Sequence, residues 1–133
     1  MSGKKILIVD DDPQLLLGLT PRLKANQYSV VTAADGIGAV AVARKETPDL
    51  IILDLGLPGG DGFLVLERLR SMAELSTIPV IVLSARDPAD NKGRSLKGGA
   101  VAYFQKPPDN HEFLTAIRQA LGETVALSNF LKT

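Results

Sequence analysis

Residues 4–14 read KKILIVDDDPQ. Two lysines lead into four apolar residues, Ile6 to Val9, which run without a break into Asp10, Asp11 and Asp12. An apolar run that does not alternate is the pattern of a strand buried on both faces of a parallel sheet. Three adjacent carboxylates are costly at its end. At about 4 Å and an effective dielectric near 20, one like-charge pair costs on the order of 4 kcal/mol. A chain that carries that cost has a use for the charge.

Similar runs recur along the chain: SVVTA at 29–33, DLIIL at 49–53, PVIVLS at 79–84 and VAYFQ at 101–105. Between them lie segments of helical spacing. Residues 13–25 carry Leu16, Leu19 and Leu23, with Asp12 as N-cap and Pro13 in the first turn; Pro21 predicts a kink. Residues 36–46 carry Ile37, Val40, Ala41 and Ala43. Residues 62–71 carry Phe63, Leu66 and Leu69 after an Asp61 cap. Residues 89–97 are polar and broken by Gly93, with a further Gly pair at 98–99, and give a weak helical pattern. Residues 111–121 carry Leu114, Ile117, Ala120 and Leu121 on one stripe, stopped by Gly122.

Strand and helix thus alternate five times. That order predicts an α/β, doubly wound (βα)5 sandwich of three layers, with a five-stranded parallel sheet and right-handed crossovers. One domain spans 1–133, its core about 4–121, with a short tail at 122–133.

Composition agrees with this. The chain has 133 residues, 45% hydrophobic and 23% charged, which suits a globular domain. Lys plus Arg and Asp plus Glu both number 15, so no bulk field draws the chain to nucleic acid or an anionic membrane. Without Cys there is neither a disulfide framework nor thiolate chemistry. No signal peptide or membrane-length apolar run is present, so the expected location is cytoplasmic.

In open α/β sheets ligands bind beyond the carboxyl ends of the strands. Strand one ends at Asp10, Asp11 and Asp12, strand three at Asp54, strand four at Ser84 and strand five just before Lys106. If those strands are neighbours, two or three carboxylates, a hydroxyl and an ammonium share one crevice. Oxygen ligands without nearby His or Cys favour Mg²⁺, Mn²⁺ or Ca²⁺. A lysine suits a phosphate oxygen, and an aspartate can attack phosphorus to give an acyl phosphate. The glycines at 56, 59, 60 and 62 lack the spacing and lysine of a phosphate-cradling loop and are read as a tight turn. His111 is read as a surface residue.

Four stretches carry a resemblance: VDDDP at 9–13, LDLGLPGGDGF at 53–63, VLSAR at 82–86 and YFQKPP at 103–108. Together, each at a strand end, they resemble the receiver domains of two-component response regulators over about residues 4 to 121. The resemblance implies the flavodoxin-like strand order 2-1-3-4-5, the order of the chemotaxis member of that family. It implies Asp54 as phosphoacceptor and Asp11 as direct metal ligand. Asp10 holds metal-bound water or a second metal contact, and the Gly56 backbone carbonyl completes the protein ligands of Mg²⁺, with Mn²⁺ as substitute. Ser84 corresponds to the hydroxyl that bonds a phosphoryl oxygen, Lys106 to the family lysine and Tyr103 to the aromatic switch residue. Lys106–Pro107 corresponds to a cis peptide bond.

The implied partners are a sensor histidine kinase or phosphotransfer protein and an output protein reading helix four, strand five and helix five. No direct nucleic-acid or membrane contact and a monomer or weak dimer are implied. The implied protein is a switch that catalyses only its own phosphorylation and dephosphorylation. Two departures mark this sequence: Pro108 where the family has Phe, and Gly60 where it commonly has Met or Leu. A phosphatase of the haloacid dehalogenase type, using Asp10 and Asp12, is the alternative; Gln14 stands where that pattern needs Thr or Val. A flavodoxin-like ligand binder is a third reading, but the first loop lacks the small hydroxyl residues a flavin phosphate needs.

Overall fold

A computed structural model describes residues 3–58 and 61–123. Gly60 and residues 124–133 of the tail lie outside the described residues. The elements alternate in order: β1 (Lys5–Val9), α1 (Pro13–Ala25), β2 (Ser29–Ala33), α2 (Gly36–Glu46), β3 (Leu50–Leu53), α3 (Gly62–Ser71), β4 (Val80–Ser84), α4 (Pro88–Lys97), β5 (Ala102–Gln105) and α5 (Asn110–Ala120).

All strand pairs are parallel, and the sheet order is β2-β1-β3-β4-β5. The alternation of side chains along each strand divides the apolar runs between two cores. Ile6, Ile8, Leu50, Ile52, Ile81 and Leu83 pack with Leu19 and Leu23 of α1 and with Phe113 and Ile117 of α5. Leu7, Val9, Ile51, Leu53, Val80 and Val82 pack with Ala39 and Ala43 of α2 and with Phe63, Leu66 and Leu69 of α3. Both faces are covered, which is why the runs do not alternate with polar residues. Each fully buried Leu or Ile contributes about 1.5–3 kcal/mol.

Four helices begin on aspartate caps of about 1 kcal/mol each. Asp12, Asp35, Asp61 and Asp87 accept from the N–H groups of Gln14, Gly38, Phe63 and Ala89 at 2.7–2.9 Å. The first and third were expected. The fourth explains why a polar, glycine-interrupted segment is helical after all: Asp87 caps it and Pro88 opens it with φ already set. Asp109 precedes α5 without a side-chain cap bond, next to Pro108.

Pro21 sits inside α1 without ending it. Leu17, whose carbonyl loses its helical donor to Pro21, is 71% exposed, so that part of the helix faces water.

Candidate active site

Because the strands are parallel, all their carboxyl ends lie along one edge of the sheet. Val9 and Leu53 are paired at the ends of β1 and β3, so the residues that follow, Asp10 and Asp54, emerge side by side. The ladder is carried one step further by backbone bonds: Asp10 N–H donates to Ala33 O at 3.0 Å and Asp54 N–H to Val9 O at 2.9 Å. Across the sheet, Ser84 pairs with Gln105, and Lys106 N–H donates to Ser84 O at 2.8 Å. Lys106 then reaches back across the edge. Its Nζ lies 2.9 Å from Asp10 Oδ2 and 3.6 Å from Asp54 Oδ2. Lys106–Pro107 is cis, as the resemblance implied.

The carboxylates differ in setting. Asp10 is almost fully buried, Asp54 nearly so, and Asp11 exposed. Asp10 Oδ1 accepts from Asp12 N–H at 2.9 Å, and Asp54 Oδ1 accepts a longer 3.3 Å bond from Gly56 N–H. One carboxylate oxygen from each of Asp10, Asp11 and Asp54 lies within 4.8 Å of the others. Three hard oxygen donors converging this closely, with no His or Cys among them, fit a Mg²⁺-type cation and not zinc.

Burial pushes the Asp10 carboxyl above its ordinary range and outweighs the pull of Lys106 and of Asp12 N–H; the Asp54 charge pushes it the same way. Burial alone would lower Lys106. The bond to Asp10 and the charges of Asp10, Asp54 and Asp12 overcome it, so the ammonium is held above its ordinary value. The same ion pair is thus decided differently at its two ends: the carboxylate is the more deeply buried partner, and the ammonium has three acids around it.

Ser84 is buried, and its Oγ accepts from Arg86 N–H at 3.2 Å. Tyr103 is buried with its hydroxyl donating to Arg86 O at 2.6 Å. Burial raises the Tyr103 hydroxyl, against the pull of Ser84 and Arg86. Both residues therefore meet at the backbone of Arg86, whose guanidinium reaches Asp61 Oδ2 at 3.5 Å. Sequence reasoning passed over Arg86. Its position two residues beyond Ser84, where a strand-end hydroxyl can bond the backbone ahead of it, was the available signal. It also read Gly62 only as part of a turn. A Cβ there would stand 2.5 Å from the Asp54 carbonyl oxygen and 2.5 Å from Leu55 Cα, so only glycine lets α3 start this close to the aspartate.

The remaining site residues fall as follows. Asp12 accepts from Gln14 N–H as the cap of α1, which uses the carboxylate a dehalogenase-type reading would need. Gly56 lies beside Asp54 and contacts it through its N–H. His111 is exposed in the first turn of α5.

A buried aspartate at the end of β3, with a lysine and an acid pair on a five-stranded parallel sheet, defines a class of signalling domain. The response regulator receiver domain model matches residues 6–118, and the chain belongs to that family. It is similar to the transcriptional regulatory protein KdpE of Mycobacterium tuberculosis, with 43% identity over 121 residues, which cover 91% of this chain and 52% of KdpE. The chain therefore spans about half the length of that relative. Protein PilH of Pseudomonas aeruginosa is 38% identical over 117 residues, 88% of this chain and 97% of PilH. Among solved structures, the receiver domain of a Pseudomonas aeruginosa sensor histidine kinase superposes with a TM-score of 0.83 at 29% identity, covering 91% of this chain and 99% of that one. That structure holds a magnesium ion in its active-site cleft. Among the described residues no helix is long and apolar enough to cross a membrane.

Proposed function

We propose that Asp54 accepts a phosphoryl group from a phosphohistidine on a sensor histidine kinase or a phosphotransfer protein. An oxygen of the Asp54 carboxylate bonds to phosphorus as the donor's N–P bond breaks, and the electron pair of that bond stays on the imidazole nitrogen. Water later cleaves the acyl phosphate and restores the carboxylate. The single observation that carries the reading is Lys106 Nζ standing against both Asp10 and Asp54, because an ammonium so held is ready for a phosphoryl oxygen.

Asp10, Asp11, Asp54 and the Gly56 carbonyl are the ligand set for Mg²⁺, and their oxygen character also suits Mn²⁺. A divalent ion bound there offsets the charge of the carboxylates and of the phosphoryl oxygens. Ser84 supplies a hydroxyl to the phosphoryl group. Its O–H donates there while its Oγ can go on accepting from Arg86 N–H, so a shift of Ser84 toward the phosphoryl group carries with it the Arg86 backbone that Tyr103 bonds. The change passes into α4, β5 and α5, the surface an output protein reads. The chain is a switch that turns over only its own phosphate. It acts in the cytoplasm as a monomer or weak dimer, without direct contact to nucleic acid or membrane.

The test is intact-mass analysis after incubation with acetyl phosphate and Mg²⁺. Wild type gains one acid-labile, hydroxylamine-sensitive phosphoryl group, and Asp54→Asn gains none. Uptake by Asp54→Asn would overturn the assignment.

A further inference from the structure

A second concave feature lies away from the carboxylate edge. It is a groove of about 570 Å³ between α3 and α4. Phe63 and Leu66 form its apolar floor, with Arg70 on the α3 wall and Arg94 and Lys97 on the α4 wall. The α3 residues recur at the i, i+3, i+7 spacing of one helix face, over roughly 10 Å of helix. Gly98 closes the α4 side, where a Cβ would stand 2.9 Å from Leu66 Cδ2.

Cations outnumber carboxylates in the groove, three to two. Arg94 sits over the Phe63 ring, its guanidinium carbon 3.8 Å from the centroid, a contact that holds it in place instead of leaving it to sweep through solvent. Among the described residues neither Arg94 nor Lys97 is ion-paired. Their place in the last turn of α4 suits the helix dipole, but that benefit needs neither the stack nor the groove. Of the two carboxylates lining the groove, Asp61 is already engaged by Phe63 N–H and Arg86. Glu67 alone is left to face three cations. Leu64, which lines the groove, is 42% exposed and extends its apolar surface. An exposed leucine beside unpaired, positioned cations suits a partner with both apolar side chains and carboxylates.

We infer that the α3–α4 groove docks an acidic, leucine-bearing segment of a partner protein, its apolar residues against the exposed Leu64 at the groove's rim and its carboxylates on Arg94 and Lys97. The site lies outside the carboxylate edge, on the α3–α4 side of the domain.

The experiment is a titration of the ¹⁵N-labelled chain with a synthetic leucine–glutamate peptide roughly ten residues long, its leucines spaced for one helix face. The backbone signals of Phe63, Arg70, Arg94 and Gly98 should move saturably, and a leucine–lysine peptide of the same pattern should leave them in place. Arg94→Glu with Lys97→Glu should weaken binding at least tenfold while the chain keeps the backbone spectrum of the folded domain. Arg94→Gln with Lys97→Gln should weaken it less, in the same direction. Equal shifts with the lysine peptide, shifts centred on another face, or undiminished binding by both double variants would overturn the inference. So would saturation of the same signals by inorganic phosphate alone, which would make the groove a small-anion site.

Discussion

Lys106 and Asp10 form the closest ion pair of the carboxylate edge, Nζ to Oδ2 at 2.9 Å, with the Asp10 side chain 2% exposed. A carboxylate that deep has little water to fall back on. Lys106→Met should therefore destabilise the fold by about 3–5 kcal/mol at neutral pH, the range for leaving a buried charge without its partner. Asp10→Asn in the same background should recover much of that loss, and a double-mutant cycle measures the coupling.

The pH dependence has a definite sign. Folded Asp10 holds its proton more tightly than the unfolded chain does, so its contribution is fully present at acid pH and is lost as pH rises through its folded value. Removing Lys106 raises that value further. The deficit of Lys106→Met against wild type, followed by urea unfolding, should be small near pH 4 and should grow toward neutrality. A deficit independent of pH would mean that lost packing, not lost charge pairing, is responsible.

Gly62→Ala places a methyl group against rigid backbone, 2.5 Å from both the Asp54 carbonyl oxygen and Leu55 Cα. Neither atom can swing aside. Overpacking of this kind costs about 1–3 kcal/mol, and relief requires α3 to retreat from β3. Phosphate uptake from acetyl phosphate should slow together with the loss of stability, because the strain falls on the residue that carries the carboxylate. By contrast, Gly93→Ala, with open space around its Cβ position, should stabilise α4.

The two substitutions also mark what the sequence could and could not disclose. Strand runs, their burial on both faces and the edge residues Asp10, Asp54, Ser84 and Lys106 followed from periodicity and position, because a parallel sheet puts every strand end on one side. The α4 segment gives a weak helical pattern because its residues are polar and Gly93 interrupts them; the Asp87–Pro88 start is a local signal that outweighs this. Gly62 and Arg86 were illegible for another reason. A forbidden Cβ and a backbone carbonyl shared by Tyr103 depend on distances between elements far apart in sequence, and no spacing rule encodes those distances.

Tyr28 offers a test at the opposite edge of the sheet. Its hydroxyl donates to Glu123 Oε1 at 2.6 Å, and burial, followed by that bond and the Glu123 charge, pushes it up to about 12. An unfolded tyrosine ionises near pH 10. Between these values the unfolded chain has lost the proton and the folded chain has kept it, so stability must fall as pH rises through that window. Tyr28→Phe should be less stable than wild type at neutral pH and should show a shallower decline above pH 10. Parallel declines would mean that lysine titration alone sets the alkaline limit.

Asp54 is expected to weaken the fold it serves when no cation is present. Its carboxylate receives a long bond from Gly56 N–H at 3.3 Å and the more distant contact of Lys106 at 3.6 Å, while its charge pushes Asp10 toward protonation. Asn keeps the shape and can still accept from Gly56, and Lys106 retains its closer partner Asp10. Asp54→Asn should therefore be folded and, in chelator at neutral pH, more stable than wild type by about 1 kcal/mol, the energy of one pKa unit. Millimolar Mg²⁺ should raise the melting temperature of wild type, since binding to the native state adds RT ln(1 + [L]/Kd). The rise should be smaller in Asp54→Asn and smaller again in Asp11→Ala, which removes the exposed member of the acid triad. Thermal melts with and without Mg²⁺ on the three proteins decide the matter. A large loss of stability in Asp54→Asn would make Asp54 a structural acceptor, and an undiminished Mg²⁺ response in Asp11→Ala would move the cation away from Asp10, Asp11 and Asp54.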